Sequence, residues 1–306
     1  MTLASIKALA PRTFLVLVLI GTSQLSGAVV TLAAGASTEE RFEEPGEGDP
    51  GKTPSETVNI GGLNVAVWLP AATASGPLPL VVFSPGFTAC STQSSFLTSA
   101  LAEAGYVVAA PDHKDSACVG GAFAAPEAPF GKPEAWSETT YRQRGRDLGA
   151  VIDALKGDPH WSTRIDASRI GLMGHSLGGY IVLALAGARP TWQRDDVKAV
   201  LALAPLIGPL LRNGRLENIH VPVMYQVGGR DGGTTAPIKK PGGAYDRTQT
   251  GYYVELGRAS HFAWTDGNDK FQREIAALSI SFFDAQFKGK AFVRPHARDV
   301  TGFKGK

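Results

Sequence analysis

Cysteine is scarce: Cys90 and Cys118 are the only two in 306 residues. No Cys/His cluster has the spacing of a zinc site, and neither a P-loop nor a dinucleotide fingerprint occurs, so no metal and no cofactor is expected. An excess of one charge sign is also missing. Lys plus Arg number 30 against 28 for Asp plus Glu, and Lys7 and Arg12 are the only charges in the first 36 residues. Setting that segment aside leaves 28 of each sign, a formally neutral chain with no electrostatic pull towards phosphate backbones, which argues against nucleic acid as a partner. Long apolar runs are absent too. The run 14–20 is broken by Gly21, Thr22, Ser23 and Gln24 before the roughly 20 residues that a membrane-spanning helix needs.

Lys7 and Arg12, the apolar run, and the small residues ending in Ala34, Gly35 and Ala36 follow the layout of a secretory signal over 1–36. Ser26, Gly27 and Ala28 offer a second cleavage site closer to the run. A secreted or periplasmic location without stable membrane insertion is therefore expected. Residues 37–56, rich in Glu, Gly and Pro, read as a flexible leader that buries too little surface to fold. Residues 57–306 are long enough for one α/β catalytic domain. The Lys/Arg-bearing segment 288–306 reads as a solvated terminus.

From residue 57 a hairpin pattern, 58–60 and 63–69 around Gly61 and Gly62, predicts an antiparallel sheet edge. Short, nearly continuous apolar runs follow at 80–83, 106–110, 169–173, 199–203, 221–227 and 252–256. Such runs suit parallel strands covered on both faces. Helical stretches separate them at 94–104, 138–156, 177–188 and 268–287. The expected fold is α/β, a mostly parallel doubly wound sheet with an antiparallel N-terminal edge. Two loop-like stretches, 112–137 and 231–249, are too short for a large lid domain.

Gly174-His175-Ser176-Leu177-Gly178-Gly179 lies directly between a strand and an apolar helix. This is G-x-S-x-G in the strand–turn–helix setting that raises a serine hydroxyl to the tip of a strand. Ser176 is the candidate nucleophile, and a serine needs a base. His220, His261 and His296 are the histidines that follow it. His220 precedes a strand, on the far side of the sheet, and His296 lies in the polar tail. His261 follows the strand 252–256, where a base must hang. Asp231, just after the strand 221–227, is the candidate acid, with Asp246 in reserve. The amides of Leu177 and Phe87 are the candidate oxyanion donors, with Gly86 allowing close approach. Asp112 and His113 at a strand end could orient substrate or hold the loop, and the structural role is the one expected. Phe87, Phe123, Phe130, Trp136, Phe262 and Trp264 are candidates to line an acyl or aryl pocket or simply to pack over the site. Cys90 and Cys118 fall in loops at the same carboxyl edge of the sheet, and an oxidising compartment favours a disulfide between them.

The segments Val81-Val82-Phe83-Ser84-Pro85-Gly86-Phe87, Ala110-Pro111-Asp112-His113-Lys114-Asp115, Arg146-Asp147-Leu148 leading into Val151-Ile152-Asp153-Ala154-Leu155, and 174–179 carry a family resemblance. The chain resembles the dienelactone-hydrolase-like and platelet-activating-factor-acetylhydrolase-like branch of the α/β-hydrolase fold over about 57–287. The resemblance implies a serine esterase acting on small or polymeric esters without metal or cofactor. It departs from relatives with His where Pro85 stands, and no Asp follows the strand 199–203, where acetylhydrolases place their acid. The same triad would also serve a lipase, a thioesterase or a peptidase, and a catalytically silent binding protein is the remaining alternative.

Overall fold

The computed structural model of the chain describes residues 53–70, 76–121, 124–294 and 299–306. The segment 1–36 expected to be a signal, most of the expected leader 37–56, Phe123 and His296 lie outside the described residues. Nine strands among them form one sheet: β1 (Glu56–Ile60), β2 (Leu63–Trp68), β3 (Leu78–Ser84), β4 (Val107–Pro111), β5 (Ile165–His175), β6 (Val197–Leu203), β7 (Val223–Gly228), β8 (Gly251–Leu256) and β9 (Val300–Gly305). The helices are α1 (Ser95–Glu103), α2 (Arg142–Gly157), α3 (Pro159–Ser162), α4 (Leu177–Leu183), α5 (Gly208–Asn213), α6 (Gly232–Lys239), α7 (Ala244–Arg247) and α8 (Gln272–Phe287). The spatial order is β1-β2-β4-β3-β5-β6-β7-β8-β9. The pairs β1–β2, β2–β4 and β8–β9 are antiparallel, and the strands from β4 to β8 run parallel. This is the α/β-hydrolase fold with its antiparallel N-terminal edge, and no large lid covers it among the described residues.

Strand alternation explains why the sheet is covered twice. In β3, Leu80 and Val82 point to one face and Val81 and Phe83 to the other, as the two-residue period of a strand requires. The first face packs against Leu148, Val151, Ile152 and Leu155 of α2 and Tyr180 and Ile181 of α4. The second packs against Phe96, Leu97 and Leu101 of α1 and Ile275, Leu278, Phe282 and Phe283 of α8. Parallel register brings Ser84 beside Gly174, His175 beside Leu203, and Gly228 beside Leu256. The loops after β3, β5, β7 and β8 therefore leave the same edge, and they carry Phe87, Ser176, Asp231 and His261.

Three expectations differ from the structure. The segment 288–306 is not simply a solvated tail, because Val300–Gly305 forms β9 and pairs with β8. Lys304 and Lys306 lie over the Tyr245 ring, so their charges do not prevent strand formation at an edge, a place where lysines are common. The helix expected over 177–188 stops at Leu183 and passes into a wider turn, Ala184–Ala188. Gly187 there has φ 127°, which a right-handed helix cannot hold. The stretch 231–249 contains the short helices α6 and α7 where a loop was expected.

Cys90 and Cys118 form a disulfide with Cα atoms 5.6 Å apart. Around it the 85–91 and 112–118 loops are laced together. Ala117 N–H donates to Thr88 C=O at 2.8 Å, and Ser91 N–H donates to the buried Asp112 carboxylate at 2.7 Å, the structural role expected of that residue. On the chain-entropy account a clip of this loop length is worth about 3 kcal/mol. Cys90→Ala/Cys118→Ala should accordingly melt roughly 6–12 °C below wild type, and a non-reduced digest of wild type should yield the Cys90–Cys118 cross-linked peptide by mass spectrometry.

Candidate active site

β5 ends in a turn that forces Ser176 to φ 53° and ψ −114°, a region of the backbone map that residues with a Cβ avoid. The flanking glycines are steric necessities. A Cβ on Gly174 would lie 2.3 Å from Gly178 C=O, and one on Gly178 would lie 1.9 Å from Ser84 C=O. The turn is pinned to the neighbouring strand: Ser176 N–H donates to Leu203 C=O at 3.0 Å, and Leu206 N–H donates to Ser176 C=O at 2.8 Å.

Ser176 Oγ lies 2.9 Å from His261 Nε2, and His261 Nδ1 lies 2.6 Å from Asp231 Oδ2. The carboxylate accepts from Nδ1–H, which leaves Nε2 free to accept the serine proton. Asp231 Oδ2 also accepts the Thr234 hydroxyl. Burial alone would raise the Asp231 carboxyl, but the hydrogen bonds from His261 and Thr234 hold it below the usual carboxylate range. Asp246, the reserve acid, instead accepts Gly242 N–H on the surface, and His220 is at the entry side of β7. The sequence-derived trio is thus brought together, and the reserve is not.

Leu177 opens α4, so its N–H has no intrahelical acceptor. A Cβ on Gly86 would be 3.8 Å from Ser176 Cβ, which sets the Phe87 loop against Ser176. The Phe87 ring packs edge-on against Phe130, centroids 5.1 Å apart. Phe262 is 60% exposed and its ring meets that of His261 edge-on. Trp136 and Trp264, for which pocket lining and simple packing were both open, are core residues, the latter donating its indole N–H to Gln226.

Two buried histidines complete the edge. His175 Nδ1 accepts from Gln93 Nε2 at 3.0 Å, and His175 Nε2–H donates to His261 C=O at 2.9 Å. Gln93 Oε1 in turn accepts Gly86 N–H at 2.7 Å. One neutral imidazole and one amide therefore link the backbone of His261 to the Phe87 loop. Burial, followed by the neighbouring His261, pushes the His175 pKa down to about 3. His113 sits between Ser84 Oγ (3.1 Å) and Asp147 Oδ2 (2.8 Å). This second Ser–His–Asp chain has Ser84 and His113 wholly buried, so it is structural, as expected of His113. Burial and then the charge of Arg144 bring the His113 pKa to about 4. Gln93 and Arg144 escaped the sequence reading, and Ser84, Asp115 and Asp147 entered it only within the resembling segments with no role assigned, since each acts through a partner far along the chain.

Both histidines bind fewer protons folded than unfolded, so their neutral burial supports the fold above the ordinary histidine range. That support is lost as pH falls from about 6.5 towards about 4 for His113 and about 3 for His175. The melting temperature should drop across that window, and His175→Gln, which keeps one acceptor and one donor without a titrating ring, should show a shallower slope by circular dichroism.

The family model for PET hydrolase-like proteins matches residues 125–304, and that for platelet-activating factor acetylhydrolase, isoform II, matches residues 63–148. Among curated proteins, a bis(hydroxyethyl) terephthalate hydrolase of Streptomyces coelicolor is 28% identical over 76% of this chain and 66% of its own length. Cutinase est1 of Thermobifida alba is 29% identical over 71% of this chain and 65% of its own. Cutinase 2 of Thermobifida cellulosilytica is 29% identical over 72% and 74%. The chain spans about two thirds of the length of the first two relatives. With Ser176, Asp231, His261 and the sheet edge that assembles them inside the matched segment 125–304, which is more than half of the chain, the protein belongs to the PET hydrolase-like family.

Proposed function

We propose that this chain is an exported serine hydrolase that cleaves carboxylic esters through an acyl-enzyme. The observation that carries the reading is the unbroken hydrogen-bond line Ser176 Oγ, His261, Asp231, at 2.9 and 2.6 Å. His261 Nε2 takes the Ser176 proton as Oγ attacks the ester carbonyl carbon. Asp231 holds the ring and stabilises the imidazolium. The amides of Phe87 and Leu177 receive the negative charge that develops on the carbonyl oxygen. Collapse expels the alcohol, which leaves with the proton from His261. Water, activated by the same imidazole, then attacks the acyl carbon and frees Ser176 with the carboxylic acid.

This chemistry needs no metal or cofactor. The printed names of the relatives, cutinases and a bis(hydroxyethyl) terephthalate hydrolase, support esters as the substrate class. The exposed Phe262 ring beside His261 supports a bulky or polymeric ester, since it offers apolar contact at an open rim. Export rests on the signal-like pattern of 1–36 and agrees with a disulfide at Cys90–Cys118, a bond that persists in oxidising compartments. No helix among the described residues is long and apolar enough to cross a membrane.

Ser176→Ala should fold and lose at least about a thousandfold in kcat on p-nitrophenyl esters, because triad members act as a unit. Asp231→Asn should lose most activity and Asp246→Asn should keep it. A fluorophosphonate that fails to label Ser176 would return the chain to the silent binding proteins, and an ester panel of rising chain length separates esterase from lipase behaviour.

A further inference from the structure

The backbone between β3 and the disulfide can be followed group by group. Pro85 has no N–H. Gly86 N–H donates to Gln93 Oε1 at 2.7 Å, Thr88 N–H to Asp115 Oδ2 at 3.2 Å and Ala89 N–H to Gly86 C=O at 3.3 Å. Among the described residues, Phe87 N–H alone in residues 86–89 has no protein acceptor. The carbonyls on the other side are held as firmly. Arg144, in the first turn of α2 and 2% exposed, donates from Nη1 to Pro85 C=O and from Nη2 to Gly86 C=O, both at 2.8 Å.

A trans peptide is planar, with its N–H pointing opposite to its C=O. Fixing Gly86 C=O on Arg144 therefore turns Phe87 N–H to the opposite face of the loop. The guanidinium is itself held in plane by Asp115, through Nε at 2.9 Å and Nη2 at 2.7 Å. Burial would raise the Asp115 carboxyl, but Arg144 and the Thr88 amide keep it below the usual carboxylate range, so the clamp stays charged. A buried ion pair contributes little net stability against apolar residues of like volume. Stability therefore does not account for a guanidinium here, whereas a planar fork matched to two carbonyls and one carboxylate does.

We propose that Arg144, held by Asp115, is a positioning residue that aims the Phe87 amide into the oxyanion site. The inference rests on Ser176 being the nucleophile of an ester hydrolase. It separates Arg144 from the catalytic residues proper, since the guanidinium touches neither Ser176 nor His261.

The test uses the full chain with p-nitrophenyl butyrate, together with an aryl trifluoromethyl ketone whose tetrahedral adduct places an oxyanion where the ester's would form. Arg144→Lys keeps a charge beside Asp115 but lacks the fork. Arg144→Met/Asp115→Asn removes both charges while leaving an acceptor for Thr88 N–H. In both, kcat and trifluoromethyl ketone affinity should fall together by about ten- to hundredfold while KM stays within about threefold, below the loss seen when an oxyanion donor is deleted outright. A folded variant with kcat and ketone affinity within about twofold of wild type overturns the proposal, whatever its melting temperature. Unfolding of both variants assigns Arg144 to the fold and likewise overturns it. Ser176→Ala, run alongside, separates the two readings: unchanged turnover in that variant removes the nucleophile assignment, and the positioning role with it.

Discussion

The backbone of Ser176 is the constraint around which the catalytic edge is built. A non-glycine residue at φ 53° and ψ −114° costs on the order of 1–3 kcal/mol and persists only where its surroundings over-determine it. Here they are β3, β5 and β6 lying side by side. The turn presses Gly178 against the end of β3 at Ser84 and hangs from the β6 carbonyl of Leu203. The same close approach brings Gly86 to Ser176, so the strain at Ser176 and the position of the Phe87 loop follow from one packing event.

Buried polar groups then join the loops that this edge supplies. Gln93 and His175 form a line from Gly86 N–H to the carbonyl of His261, while Arg144 and Asp115 fasten the opposite side of the same loop. A fully satisfied network in a low-dielectric interior specifies one arrangement strongly, and a partly satisfied one is costly. His175 is suited to its place because burial keeps it neutral, with one ring nitrogen accepting and the other donating. The disulfide lies just beyond, joining the segment that carries Asp115 to the segment that carries Phe87.

The triad candidates were legible because each is tied to a local pattern. Ser176 is framed by glycines whose absence of a Cβ the turn demands, and Asp231 and His261 follow short apolar runs of the kind that suits strands in a sheet covered on both faces. The supporting residues carry no such mark. Arg144 lies 58 and 59 residues from the carbonyls it holds, and Gln93 lies 82 from His175. In the sequence they resemble any polar residue at the start of a helix or in a loop. Likewise β9, with Lys304 among its six residues, has too little apolar pattern to predict a strand, and its backbone bonds come from β8.

Contiguous residues determined the alternation of strands and helices, the serine turn at Ser176, and the chain order in which a carboxylate after one strand and His261 after the next follow it. These depend on periodicity and on steric limits within a few residues of one another. Tertiary structure alone decided that Asp231, and not Asp246, meets His261, that Trp136 and Trp264 are core, and that Arg144 grips the Phe87 loop. Those outcomes depend on hydrogen-bond distances between segments far apart in the chain, which the packing of the sheet brings within reach and no local pattern encodes.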